Sequence, residues 1–248
     1  MDELTNIFNR YMGIVDKVAS FIPYKKVKTW RDFFFNPAEV SSKSKDEGIL
    51  PIVIDYYVMG FLNFVISLLS MIAPIIVSTI LTAGFGIIEG VVLFALMLGF
   101  FLISPILSLL YAVLEFIIAK ILGGKASFSK HLFASFMPVL STFIILLPLN
   151  LLSILLNWLT FIPAIGLACS CITLPISIVM SLVYLYSMYL KYSAFKEVHK
   201  VSSGRAILIV VIPFIIVLAA LIIVYILFLA SIFALISQGS AISSLFNK

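Results

Sequence analysis

Charge is what this chain has least of. Only 11% of its 248 residues are Asp, Glu, Lys or Arg and 63% are hydrophobic, where a soluble domain carries about 25% charged residues and roughly half apolar ones. Water is therefore not its main solvent. Cysteine is nearly absent too. Cys169 and Cys171 stand two positions apart in an apolar run, so on a helix they point to different sides and cannot bridge each other. With only His131 and His199 elsewhere, they form no zinc-binding pattern. The sequence lacks a phosphate-cradling Gly-rich loop, a His-Glu-x-x-His, a hydrolase triad and an intramembrane Asp pair. Serines abound without a paired base, and both histidines fall at the ends of apolar segments, away from any nucleophile. No enzyme activity, cofactor or metal is expected. A leader of basic residues followed at once by a short apolar run is also missing, because Met1 to Ser20 is polar and amphipathic. The first apolar helix is expected to do the targeting.

The charges that exist are crowded. Eight of the sixteen Lys and Arg and seven of the eleven acidic residues lie before residue 55. There Leu4, Ile7, Phe8, Tyr11, Ile14, Val15, Val18 and Ile22 recur at helical spacing opposite Asp2, Asn6, Asn9, Asp16 and Lys17, which predicts an amphipathic helix that lies on a membrane, docks on a partner or packs on the protein's own cytoplasmic face. Lys25, Lys26, Lys28 and Arg31 beside Trp30 suit an anionic lipid surface rather than nucleic acid. Asn36-Pro37 reads as a helix start and Gly48 as its stop, giving a short helix over about 37 to 47.

Five apolar segments follow, at roughly 52–80, 86–119, 131–156, 161–190 and 206–237, each longer than the ~20 residues that cross a hydrocarbon core. The expected fold is all-α: a polytopic bundle of five transmembrane helices (52–237), preceded by short amphipathic helices (1–51) and followed by an outer tail (238–248). The amino-terminal segment, the 120–130 loop (Lys120, Lys125, Lys130) and the 191–205 loop (Lys191, Lys196, Lys200, Arg205) carry all the cations except Lys248. The positive-inside rule then makes the amino terminus cytoplasmic and the carboxyl terminus outer. An even number of spans would spoil this separation.

The second span carries Gly86 and Gly90, then Ser104, Ser108 and Ala112 at four-residue spacing, a stripe that allows close backbone approach. It is expected to be the central helix, packed on the chain's own helices or on a second copy. Glu89 and Glu115 are read as the charges inside the spans, with capping, pairing or snorkelling roles. Tyr184, Tyr186, Tyr189 and Tyr192 form an interfacial aromatic belt.

Three stretches carry a family likeness. They are Trp30-Arg31-Asp32 through Asn36-Pro37-Ala38-Glu39-Val40 with Lys45-Asp46-Glu47-Gly48, then Leu122-Gly123-Gly124-Lys125-Ala126-Ser127-Phe128, then Tyr192-Ser193-Ala194-Phe195-Lys196-Glu197-Val198-His199. Together, over about residues 30 to 237, they resemble the Yip domain family of Ypt/Rab-interacting membrane proteins and their prokaryotic relatives. The resemblance implies five spans and a cytoplasmic amino terminus, and loosely a link to membrane traffic. Lacking the long amino-terminal region and the Tyr-Gly-Pro-like segment of eukaryotic members, the chain looks like a prokaryotic, archaeal representative. The expected role is a non-enzymatic scaffold or adaptor. Its cytoplasmic face, with Trp30, Arg31, Lys125, Lys196 and Lys200, would hold membrane lipids or a protein partner, a second copy included. The alternative is a small transporter, channel or lipid-moving protein, suggested by proline-broken helices with Glu89, Glu115, Asn63 and Asn150.

Overall fold

The computed structural model describes residues 2–22, 24–44, 46, 48–82 and 84–246, with the side chains of 2–4, 163–164 and 232–246 left aside. Eight helices run in the order α1 (Asp2–Ser20), α2 (Val27–Phe35), α3 (Pro37–Lys43), α4 (Ile49–Leu81), α5 (Phe85–Ile121), α6 (Phe128–Leu159), α7 (Pro163–His199) and α8 (Ser203–Phe246), with no strand among the described residues. The last five are long and apolar enough to cross a membrane, and the protein is an integral membrane protein built of them. In lipid the backbone must satisfy its own hydrogen bonds, which leaves the helix as the element such sequences adopt.

These helices outrun the bilayer. At 1.5 Å per residue the 37 residues of α5 reach about 55 Å, against a hydrocarbon core of about 30 Å. The surplus collects at the end of the bundle that carries α1–α3, the basic end. Trp30, Phe33, Leu132, Leu190, Phe195 and Ile209 are fully buried there. The opposite ends of α5, α7 and α8 expose Phe85, Ile88, Leu174 and Phe228, the surface lipid covers.

Several expectations are corrected. The central helix is α6, not α5: it packs on α1, α2, α4, α5 and α7 and is buried almost continuously from His131 to Leu147. Its small polar residues Ser135, Ser141 and Thr142 are buried, so small side chains mark this interface without a Gly-x-x-x-Gly. The 191–205 loop is helical as far as His199, because Leu190, Ala194 and Phe195 keep a buried helical stripe beneath the charges; Lys200 then stops α7 in the left-handed conformation at φ 54°. Helix α3 ends at Lys43, where Ser44 turns extended and its hydroxyl donates to the Ser41 carbonyl, a local bond that competes with helix; Glu47 lies outside the described residues. Asn36 holds the cap position with Pro37 behind it, but its side chain makes no cap bond. Helix α8 runs unbroken past residue 237 to Phe246, and 247–248 lie outside the described residues.

Gly86 and Gly90 face α4. A Cβ on Gly86 would stand 2.3 Å from the Thr79 nitrogen, and one on Gly90 3.1 Å from Ile75. The stripe continues through Ser108, whose hydroxyl lies 2.8 Å from that of Tyr56 on α4, to the fully buried Ala112. The chain's own helices occupy it.

Candidate functional site

The most polar part of the buried interior lies where α5, α6 and α7 meet. Glu115 on α5 is 0% exposed. Lys191 Nζ on α7 stands 2.5 Å from its carboxylate, and Ser135 Oγ on α6 donates at 2.7 Å. Lys191 also sits over the Tyr111 ring, 4.8 Å from its centroid, and 5.7 Å from that of Phe195. A buried carboxylate is tolerated when it is ion-paired and hydrogen-bonded, here by Lys191 and Ser135. Glu115 was expected to find a partner or water; it found the partner.

One turn nearer the basic end, His131 and His199 meet. His131 Nε2 lies 3.0 Å from the Ala112 carbonyl and its Nδ1 2.8 Å from His199 Nε2. A carbonyl only accepts, so His131 Nε2 carries the hydrogen; in the neutral ring Nδ1 then accepts from His199 Nε2. The chain of bonds assigns both tautomers. His131 stacks on Phe195 at 4.8 Å and 7°. Gly124 presses on the far side of His199, where a Cβ would stand 2.4 Å from Nδ1.

The amino-terminal helices are locked to this assembly by polar contacts. Asp55, 5% exposed on α4, accepts from the Tyr24 hydroxyl and pairs with Lys26 at 3.1 Å. Sequence reasoning passed over Asp55, although a lone acid in the first turns of a span is the available signal. The Tyr11 hydroxyl donates to the Ile145 carbonyl, in the turn of α6 that Pro148 loosens. Burial pushes the Tyr11 phenol up to about 12. Arg31 pairs with Asp16 of α1 and with Asp32; the hydrogen bonds it donates to these two carboxylates hold its guanidinium above its ordinary value.

Of the proposed surface residues, Lys125, Lys196 and Lys200 are exposed, and Lys200 pairs with Glu197 at 2.8 Å. Trp30 is not on the surface: it is 0% exposed, in the cluster that joins α2 to α6, because the apolar side of this short helix docks inward. Glu89 is exposed near the opposite end of α5, where Ser78 donates to it at 3.0 Å. It lies 26 positions from Glu115, about 39 Å along the helix, so the two carboxylates share no site. Cys169 is buried and Cys171 exposed on α7. Tyr186, Tyr189 and Tyr192 form a ladder with centroids 5.4 and 6.1 Å apart, and Phe34 of α2 rests on Tyr186 at 5.2 Å.

The stretches that carry the family likeness also converge here. Lys125 N donates to the His199 carbonyl at 3.2 Å, and Ser127 Oγ donates to Asp46 at 2.7 Å. Comparison with curated proteins and with solved structures finds no match. The sequence model of the Yip1 domain matches residues 31–225, a span that takes in all three stretches from Arg31 onward together with the Glu115–Lys191 and His131–His199 pairs they surround, and the chain belongs to the Yip1 domain family.

Proposed function

We propose that this protein is a non-enzymatic membrane scaffold whose basic end is cytoplasmic and binds a protein or lipid partner. The observation that carries the reading is the coincidence of dense packing and unspent positive charge. The best-packed part of the molecule backs the face on which Lys125 and Lys196 are exposed and make no ion pair among the described residues. A rigid base holds these cations at a fixed spacing, which is what recognition of an acidic surface needs. The same cation asymmetry supports a cytoplasmic placement by the positive-inside rule.

Helix α1 fits this reading. Tyr11 meets α6 at Ile145, 14 residues from the far end of α6 at Leu159, about 21 Å along its axis. That is inside a 30 Å core measured from the opposite side, the depth at which an amphipathic helix lies in the interface. Ile7, Phe8, Ile14 and Phe21 are exposed and would face acyl chains.

The test is chemical crosslinking in native membranes with mass spectrometry, comparing the natural chain with the triple variant Lys125→Glu, Lys196→Glu, Lys200→Glu. The expected result is loss of the captured partner by about tenfold or more, the scale of two or three charge contacts. Equal capture by both forms would remove this surface from the function.

A further inference from the structure

We infer that the groove between α4, α5, α6 and α8 binds one glycerophospholipid of the leaflet at the basic end, with its phosphate on Lys191 and one acyl chain laid along α5. This binding site lies inside the bundle and is separate from the partner surface.

Two cavities make the groove. The first, about 640 Å³, has Lys191, Tyr111 and Ser135 at one side and Leu114, Val217 and Leu221 among its walls. The second, about 760 Å³, continues between Gly60 and Phe64 of α4 and Leu96, Met97 and Phe101 of α5. They share Tyr56, Leu107, Ser108 and Val139, so the Tyr56–Ser108 hydrogen bond marks the neck of one continuous path. The charged group, Lys191, stands in the first cavity, and the rest of the path is mainly apolar with Asn63, Ser67 and Ser104 as its polar lining, an arrangement that admits an amphiphile.

Depth and length agree. Tyr111 is 26 residues from the far end of α5 at Phe85, about 39 Å, beyond the 30 Å hydrocarbon core and within the 40–45 Å that includes headgroups. From there to Leu96 is 15 residues, about 22 Å, which carries an extended chain from the headgroup layer past the bilayer midplane. The polar end therefore stands at headgroup depth and the apolar end points inward, the polarity of a lipid in that leaflet.

The charge also fits. A lysine has three N–H donors, and Glu115 accounts for one. Ser135 donates to the same carboxylate, so Glu115 does not depend on Lys191 alone. Lys191 keeps 17% of its side chain exposed at the groove. Phosphate oxygens would accept its remaining donors in a place walled from water, where a charge-assisted bond is strongest.

The experiment reconstitutes the full chain into phosphatidylcholine nanodiscs doped with phosphatidylglycerol that carries a photoreactive diazirine at the end of one acyl chain. A matching diacylglycerol, identical but for the phosphate, is the control, and labelled peptides are mapped by mass spectrometry. Labelling is expected on α5 near Leu96–Phe101 and the facing part of α4. The diacylglycerol should label about tenfold less there, the value of one charge-assisted hydrogen bond. Leu107→Trp, which fills the neck from a half-exposed position, should remove the signal. The paired change Lys191→Gln with Glu115→Gln, which keeps a neutral hydrogen-bonding couple, should lower phospholipid labelling to the diacylglycerol level. An unshifted melting transition in both variants secures their folding. Equal labelling by the two probes, labelling spread over the outer faces of α7 and α8, or indifference to Leu107→Trp would each overturn the assignment.

Discussion

Replacing Lys191 by Met isolates the energetics of the buried pair. The change leaves Glu115 at 0% exposure with Ser135 as a donor but no counter-charge. Breaking a buried ion pair from one side costs about 3–5 kcal/mol, because the remaining charge stays desolvated. For a chain of this size 1 kcal/mol moves the melting temperature by about 2–4 °C, so Lys191→Met should lower it by about 10 °C. Glu115→Gln is milder: the amide still accepts from Ser135, and the lysine, over the Tyr111 ring and partly exposed, can turn its ammonium to the headgroup layer. Its expected cost is about 1–2 kcal/mol. The double variant Glu115→Gln with Lys191→Met should recover most of the loss of Lys191→Met, since no charge is left buried. The assay is thermal unfolding of purified protein in nanodiscs, followed by tryptophan fluorescence from Trp30 and Trp158. Additive losses in the double variant, or Glu115→Gln more harmful than Lys191→Met, would refute the pairing.

Gly86→Ala should destabilise by about 1–3 kcal/mol, since its Cβ would meet the α4 backbone; Gly90→Ala should cost less, because it meets only the Ile75 side chain, which can rotate away. Melting temperatures compare the two. Lys200→Gly should stabilise by about 0.5–1 kcal/mol, as glycine takes the φ of 54° without strain and the exposed Glu197 pair it removes contributes little; denaturant unfolding reads this. Asp55→Asn should free the segment between α1 and α2, seen as faster proteolysis near residues 21 to 26, while the five spans stay intact. The hydrogen bond from Ser127 holds the Asp46 carboxyl below its usual range. A depressed folded value stabilises above the unfolded pKa of about 3.9 and is lost as pH falls through the folded one. Amide exchange at the start of α6 should therefore rise only below about pH 4, and Ser127→Ala should abolish the step; an increase near neutrality would contradict it.

The spans were legible because lipid imposes a simple demand, a long apolar run, and the segments read from composition lie within α4–α8 apart from a few residues before α7. Their ends were not legible where a helix leaves the bilayer. Lys191, Lys196 and Lys200 read as a loop because charge near a span usually marks its boundary, yet Leu190, Ala194 and Phe195 continue a helical face that protein, not lipid, buries. Trp30 misled for the same reason: beside lysines an aromatic reads as an interface anchor, and only the docking of α2 on α6 makes it core. Glu115 was recognised as a charge needing a partner, but the sequence offers Lys120 five residues away on the same helix as readily as Lys191. Five residues along a helix turn the side chains to different faces, whereas the packing of α5 and α7 around α6 sets Lys191 opposite. The His131–His199 pair, 68 residues apart, has no local signature at all. What decides both pairs is which helices neighbour α6, and in a bundle whose surfaces are apolar nearly all round, hydrophobic periodicity carries no record of that. The scarce polar residues do: Ser135, Glu115, Lys191 and the two histidines each bond a different helix from their own, and Asp55 holds the segment between α1 and α2, so in this protein the few groups that lipid would reject are the ones that specify how the helices assemble.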